Sequence, residues 1–539
     1  MEKSVNIDML MDKLGDFGTY QCRQFLLHLL SAFTAGLHMM TLATVAAEPQ
    51  YICANTIQPE SNMTNWFATP EIFNDSCKVM NDFNETVACE KWIFDRTYYE
   101  DTRTTEWMMI CDNRWMGSLA RMSYMLGVFT GSVVLGSLAD KFGRKTIFCI
   151  SAVAQLILGI GVAFLHEYWI FIATTFVYGI FGSSGSYISG FVLTTELVGP
   201  SKRSVCGILF QATFALGIMG VSVWGYFIKD IFLLQIIYGL HSLLLIPHYW
   251  LIDESPRWLW GQGRKEEAFN IIQKALKTNN KTLALPLEKE QVVLDKDGSE
   301  IKNHQDVQSF SILDLFKTPN LRKNTMNICL FWFAASFGYY GISFQTGKLK
   351  GDPYLMLFVM AGVEMPSYIF VTLAMDRLGR RFLNSSMMII GGTALLASAF
   401  LPMISESISI SAAFIGKFCI AGAFAIIYNY TVELYPTVVR NTAIGLGSMF
   451  ARLAGGFTPL VTLLDSFDSK APTITFALVT LLSGILSTLL PETLDTTMPQ
   501  TMEEGEEFGK GDTCFSTGCF GRSKKLSKEK DIPLESYKS

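Results

Sequence analysis

The sequence predicts an all-α polytopic membrane protein of twelve transmembrane helices, arranged as two parallel six-helix repeats. Three observations predict it: long apolar runs nearly free of charge, polar insertions that divide those runs six and six, and charged signatures that recur in both halves. Half of the 539 residues are hydrophobic and only 17% are charged. A water-soluble chain of this size would carry charge on every exposed helix face, and a helix needs about 20 apolar residues to cross the hydrocarbon core. The formal net charge is −5, with acid gathered at Glu503 to Glu507, so nothing points to a nucleic-acid partner.

The spans fall near 22–45, 118–139, 146–166, 169–195, 205–228 and 231–252 in the first half. They fall near 325–346, 354–375, 382–403, 408–432, 442–464 and 472–490 in the second. Residues 1–21 are polar and lead into no short apolar core with a small-residue cleavage site, so the first run reads as a retained span. The chain thus divides into that N-terminal segment, a bundle over 22–252, a linker over 253–324, a bundle over 325–490 and a tail over 491–539. The linker opens on an expected amphipathic helix from Arg264 to Lys277, and the polar tail reads as disordered. Lys141, Arg144 and Lys145, then Lys202 and Arg203, then Arg377, Arg380 and Arg381 mark short loops as cytoplasmic. An even number of spans then puts both termini in the cytoplasm and residues 46–117 outside, as expected for a multi-pass protein of the plasma membrane.

That external loop carries its own signals. Cys53, Cys77, Cys89 and Cys111 all fall within it, which implies an oxidising face and two disulfides, with three pairings open. Asn62-Met-Thr, Asn74-Asp-Ser and Asn84-Glu-Thr are glycosylation sequons in the same stretch. Asn280-Lys-Thr and Asn384-Ser-Ser also match but are expected to face the cytoplasm.

The sharpest signal is internal repetition. Asp140-Lys-Phe-Gly-Arg-Lys145 recurs 236 residues later as Asp376-Arg-Leu-Gly-Arg-Arg381. Glu196 and Arg203 recur as Glu433 and Arg440, and Glu254 recurs as Glu492. Six plus six helices of one orientation describe two parallel repeats about an axis along the membrane normal. That is the major facilitator architecture, with its site between the halves near the midplane. Asp140, Arg144, Glu196, Arg203, Asp376, Arg380, Glu433 and Arg440 are expected to form gating pairs between neighbouring helices, closed in one rocked conformation and separated in the other.

Two ionisable residues stand near helix centres: Arg452 in the eleventh span and Glu364 in the eighth. A charge at that depth costs roughly 2.5–3.5 kcal/mol on insertion scales, so it normally faces a cavity. A guanidinium that forks onto a carboxylate and a Glu that holds an ammonium together suit a zwitterion. Tyr187, Trp332, Tyr339, Tyr340, Tyr428 and Tyr430 offer a cation-binding wall. His38 is a polar break in the first span, expected to line the pocket and able to support proton coupling. The chain has no phosphate-binding glycine loop, no metal-ligand spacing and no nucleophile elbow. The expectation is therefore a carrier with no cofactor and no metal, partnered by a small charged organic solute and the lipid bilayer, with Na+ or H+ left open as coupling ion.

The residues from Gly15 to Thr501 resemble solute carrier family 22, the organic cation, carnitine and organic anion transporters. The likeness rests on the Cys-containing loop, Thr105-Glu-Trp107, Glu254-Ser-Pro-Arg-Trp-Leu259 and Glu433-Leu-Tyr-Pro-Thr-Val-Val-Arg-Asn441. Gly338-Tyr-Tyr-Gly-Ile-Ser343 resembles the carnitine branch, and His38 resembles the insect-type members. Within the family, Arg at position 452 accompanies anion and carnitine carriers where cation carriers have Asp. Glu364, Tyr187, Tyr428 and Tyr430 match pocket residues of the carnitine carriers. The fourth span reads Gly182-Ser-Ser-Gly-Ser-Tyr187 and the first has Ala35, where the sodium-coupled carnitine carriers have Gln, Asn and Asn; this argues against sodium coupling and against carnitine itself. The resemblance implies transport of small organic cations or zwitterions (carnitine-, β-alanine- or amine-conjugate-like) by alternating access. An organic anion transporter is the alternative, and a membrane transceptor is the reading from a different class.

Overall fold

The computed structural model describes residues 7–54, 77–80, 86–281 and 312–518. Among these, ten helices are long and apolar enough to span a membrane. They are α1 (Thr19–Val45), α2 (Cys111–Phe142), α3 (Arg144–Phe164), α4 (Tyr168–Leu197), α5 (Pro200–Phe227), α6 (Ile231–Leu251), α8 (Pro353–Leu378), α9 (Arg380–Met403), α10 (Glu406–Leu434) and α11 (Arg440–Ser466). Two more complete the expected twelve. Helix α7 (Pro319–Gln345) is long, but Arg322, Lys323 and three asparagines dilute its apolar run, and α12 (Ala471–Ser487) has only 17 residues. Several helices begin ahead of their apolar run. Helix α7 starts six residues before it, because Pro319 is pre-organised for the first turn and backbone hydrogen bonding does not stop at the edge of the lipid.

The two halves are built alike. In the first, α1 packs on α5, α2 on α4 and α3 on α6; in the second, α7 packs on α11, α8 on α10 and α9 on α12. Between the halves the main contacts are α2 with α11 and α5 with α8. Lipid offers helices no hydrophobic drive to associate, so close backbone approach through small residues does much of the holding. A methyl group placed on Gly36 of α1 would lie 2.0 Å from the Phe214 carbonyl oxygen of α5, and one on Gly217 of α5 would lie 2.0 Å from the Phe33 carbonyl oxygen.

The loop after α1 carries two short antiparallel pairs, Tyr51–Cys53 with Trp92–Phe94 and Lys78–Met80 with Thr86–Ala88. Of the three possible pairings, the disulfides are Cys53–Cys89 and Cys77–Cys111. Asn62, Asn74 and Asn84 lie outside the described residues. Asn384 is fully buried in α9, which denies that sequon to a glycosyltransferase. Arg103, also buried, anchors the loop: its guanidinium donates to the Val162, Ala163 and Leu165 carbonyls at the end of α3 and pairs with Glu106. Those carbonyls are the acceptors a helix end leaves unsatisfied.

On the opposite face, the linker helix Lys265–Thr278 buries Ala268, Ile272, Ala275 and Leu276. Its partner in the same apolar cluster is the helix Ile7–Leu14, through Leu10, Met11 and Leu14. The expectation of a disordered tail over 491–539 is corrected as far as residue 518. Helices Met502–Glu507 and Cys514–Thr517 form there, because carboxylates of this segment meet buried partners on the second half.

The interhelical glycines make a direct prediction. Gly36→Ala should lower stability by about 1–3 kcal/mol through overpacking, read as a fall in the thermal unfolding midpoint of the detergent-purified protein. Gly117→Ala, where an added methyl meets nothing within 4 Å, should not lower it, since alanine is the better helix former. Equal midpoints in the two variants would sink the packing argument.

Candidate functional site

A cavity of about 110 Å³ lies between the halves. Met39 of α1, Ser183 and Tyr187 of α4, and Gln211 and Phe214 of α5 face it from one side. Trp332, Tyr339 and Tyr340 of α7, Tyr368 of α8, Phe424 and Tyr428 of α10, and Arg452 of α11 face it from the other. Ser183 belongs to a stretch of wide π-helical turns, Ile180–Ser186, that runs up to Tyr187; such irregular turns recur at functional sites. The glycines and serines of this stretch have small side chains that leave room for the rings opposite. One turn beyond the cavity, Ala43, Arg121 and Phe344 line a vestibule of about 890 Å³ on the side of the disulfide-bonded loop. One turn the other way, the rings of Phe191 (α4) and Tyr428 (α10) meet across the halves at 6.4 Å.

Three sequence-expected residues do not line this cavity: His38, Tyr430 and Glu364. His38 is buried within the first half, with Nε2 2.9 Å from the Ser242 hydroxyl and Nδ1 against the Tyr178 hydroxyl. Its neighbour Met39 faces the cavity instead. Tyr430 is fully buried and donates its hydroxyl to the Pro491 carbonyl at 2.6 Å. Helix residues two apart point about 200° away from one another, so Tyr428 and Tyr430 had to face opposite ways.

The two expected charges also have different surroundings. Glu364 is fully buried behind the cavity wall. Its Oε1 accepts from the Tyr339 hydroxyl at 2.8 Å and its Oε2 from the Tyr368 hydroxyl at 2.9 Å. The ammonium of Lys417, from α10, lies 3.0 Å from Oε1, donates to the Ser343 hydroxyl at 2.8 Å, and sits 3.2 Å from the Tyr339 ring centroid. Sequence reasoning missed Lys417. A lone Lys nearly ten residues inside an apolar span was the available signal, of the same kind that drew attention to Glu364. Arg452 differs: its guanidinium donates only to Ser448, through the carbonyl and the hydroxyl. Among the described residues no carboxylate pairs with it, and its electrostatic neighbours are the tyrosines 187, 340 and 428. The cavity therefore presents one uncompensated positive charge inside an aromatic wall.

The profile of the Sugar (and other) transporter family matches residues 29–504. The chain belongs to that family. It is 34% identical to the organic cation transporter protein of Drosophila melanogaster over 96% of this chain and 98% of that one. It is 30% identical to solute carrier family 22 member 16 of Xenopus laevis over 98% of each chain, and 34% identical to the human organic cation/carnitine transporter 2 over 74% of this chain and 70% of that one. These relatives place it within solute carrier family 22, among transporters and not enzymes, in a family that needs no cofactor. Its fold is that of the Escherichia coli xylose transporter XylE in a partially occluded inward-open conformation, with a TM-score of 0.60 at 15% identity over 89% of this chain and 100% of that one.

In this family member the repeated signatures brace each half. Glu254 accepts the Arg144 and Lys145 amides at the N-terminus of α3, and Glu492 accepts the Arg380 and Arg381 amides at the N-terminus of α9. A carboxylate there satisfies orphan donors and meets the positive end of the helix dipole. The signature glycines follow from this: Gly143 and Gly379 have φ of +105° and +85°, and a side chain on either would lie 2.5 Å from the capping carboxylate. Arg144 pairs with Asp140 at 2.9 Å and Glu196 at 3.3 Å, as Arg380 pairs with Asp376 at 3.0 Å and Glu433 at 2.9 Å. Arg203 and Arg440 form no ion pair among the described residues. They donate to the Val198 and Tyr435 carbonyls just beyond α4 and α10. No pair of the set joins the halves. Among the described residues the ion pair that joins the halves is Arg114 to Asp465 at 2.8 Å, with Glu48 3.3 Å from the same guanidinium, beside the vestibule.

Removing one partner of a buried ion pair typically costs 3–5 kcal/mol, whereas replacing both is far milder. Lys417→Met should therefore lower thermal stability by about 3–5 kcal/mol, and Lys417→Met with Glu364→Gln should recover most of it. A single variant as stable as the parent would show that Glu364 does not need its partner.

Proposed function

We propose that this transporter carries small organic cations and zwitterions across the plasma membrane by alternating access, with a preference for solutes that bear a carboxylate. The observation that carries the reading is the unpaired Arg452 guanidinium among Tyr187, Tyr340 and Tyr428. Arg452 would take the carboxylate by bidentate hydrogen bonding. Trp332, Tyr340, Tyr428 and Phe424 would stand around a quaternary or primary ammonium, where ring faces attract cations. Glu364 acts indirectly in this reading: neutralised by Lys417, it holds the Tyr339 and Tyr368 hydroxyls and fixes their rings against the solute. The relatives' names support the solute class, being organic cation and organic cation/carnitine transporters. We further propose that the vestibule and disulfide-bonded loop face the extracellular side, with both termini in the cytoplasm, in keeping with the basic loops and the external sequons. The signature pairs would keep each half rigid while the halves rock, and Arg114 with Asp465 would part when the vestibule widens.

The test is radiolabelled uptake in cells expressing the parent, Arg452→Ala and Glu364→Gln at matched surface levels. The solutes are tetraethylammonium, carnitine, β-alanine and p-aminohippurate, with and without sodium. Zwitterion uptake should fall at least about tenfold in Arg452→Ala, since a charged hydrogen-bonded contact is worth roughly 1.5–3 kcal/mol. Glu364→Gln should act more weakly than Arg452→Ala. Robust tetraethylammonium uptake that is unchanged or improved in Arg452→Ala would overturn the carboxylate assignment. Uptake confined to p-aminohippurate would favour the organic anion reading, for which a lone guanidinium is equally suited.

A further inference from the structure

The two signatures differ in one respect that the repeat conceals. In the first half Lys145 lies at the edge of the bundle, its ammonium 5.7 Å from the Tyr249 ring centroid. In the second half Arg381 is fully buried. Its Nη1 donates to Asp512 Oδ1 at 2.8 Å and to the Leu490 carbonyl at 3.2 Å, and its Nη2 donates to the Gly518 carbonyl at 2.7 Å. The counter-ion of this buried arginine therefore comes from the chain's tail, 131 residues away. Asp512 is itself only 8% exposed, and its other oxygen accepts the Glu492 amide at 3.2 Å. Glu492 is the carboxylate that caps α9.

The same segment engages two more elements. Glu506 accepts the Asn320 and Leu321 amides at 2.9 and 3.0 Å, at the N-terminus of α7, while the Asn320 side chain donates to the Glu506 and Phe508 carbonyls. Burial alone would raise the Glu506 carboxyl, but hydrogen bonds from the Leu321 and Asn320 amides and the charge of Lys510 hold it below the ordinary carboxylate range. Between α10 and α11, the Thr437 amide donates to the Pro499 carbonyl and Gly505 packs on Pro436. One strap thus ties the starts of α7 and α9 to the turn before α11. Helices α7 and α11 supply Trp332, Tyr339, Tyr340 and Arg452 to the cavity.

We propose that Asp512 is a positioning residue: by pairing with Arg381 it fixes the Asp376–Arg381 turn and, through the strap, the conformational balance of the second half. An arginine buried at this turn needs a nearby anion, and on this side of the turn Asp512 provides it. A loss of that anion frees the turn to rearrange, and the α7 and α11 faces of the cavity and vestibule move with it.

The test needs neither a known solute nor a known orientation. Gly117 lines the vestibule and has open space around it, so Gly117→Cys serves as an accessibility reporter. The rate of fluorescent-maleimide labelling above the parent's own background thiols is measured in detergent on the full chain. It is measured in the Gly117→Cys protein, with Asp512→Asn added, and with Asp512→Leu plus Arg381→Met added. Thermal unfolding is followed in parallel. The double variant removes the charge demand and keeps an apolar contact, so it should regain the stability that Asp512→Asn loses. A labelling rate several-fold different from the reporter protein in both variants supports a positioning role. A double variant that labels at the reporter's rate, whatever the single variant does, makes Asp512 a stabilising contact only and overturns the proposal.

Discussion

Inside a bilayer a charge must bring its partner with it, because neither water nor a neighbouring lipid will satisfy it. The pair of Glu364 with Lys417 is the place where this constraint shapes the site. Both carboxylate oxygens are filled, by two tyrosine hydroxyls and an ammonium. The pair contributes no net charge to the cavity, yet it fixes two of the rings that form its wall. Arg452 lies close by and, among the described residues, has no carboxylate of its own. The contrast between a neutralised acid and an unpaired base gives the space between the halves its sign.

The same rule governs the repeated signatures, with different geometry. Glu254 and Glu492 satisfy the first amides of α3 and α9, and glycine at positive φ lets each carboxylate approach its turn. Arg144 and Arg380 then pair inward, each to an acid at the end of the preceding helix and to one on the fourth helix of its half. These contacts confer rigidity on each half without tying one half to the other. Two stiff six-helix bodies meeting along α2–α11 and α5–α8 are what a rocking motion requires, since packed interfaces switch between arrangements more readily than packed cores deform. The Arg114–Asp465 pair is the ionic contact that such a motion would have to break.

Twelve spans, the duplicated signatures and the linker helix were legible because each rests on local periodicity or on a repeat within the chain. The site was legible in part. Depth within a span identified Arg452 and Glu364, and helical phase alone separates Tyr428 from Tyr430. Depth should also have identified Lys417, whose phenylalanine and isoleucine neighbours hide it in a strongly apolar segment. Contacts between distant segments were not legible. Nothing near Cys53 says that it bonds Cys89 and not Cys77. Nothing in a run of acid, glycine and lysine after residue 500 says that Asp512 will be buried against Arg381. His38 failed for a related reason: a polar residue within a span seeks a polar partner, but the sequence does not say whether that partner is a solute or the protein's own Ser242 and Tyr178.

In the reading proposed above, the sign of the cavity weighs between solute classes by magnitude. Two unit charges 4 Å apart at an effective dielectric of 20 interact by about 4 kcal/mol. A simple monocation pressed against Arg452 would meet repulsion on that scale, roughly a thousandfold in affinity, which the ring faces, at about 2 kcal/mol or more for each desolvated contact, would have to offset. A zwitterion changes the balance. Its carboxylate neutralises the guanidinium and gains charge-assisted hydrogen bonds, and its ammonium, held some ångströms away among Trp332, Tyr340 and Tyr428, no longer faces a bare positive charge. Loading such a solute leaves the occupied cavity electrically neutral, so the halves can close over it without burying an unpaired charge. Without such a solute, the Ser448 carbonyl and hydroxyl are the groups to which Arg452 donates.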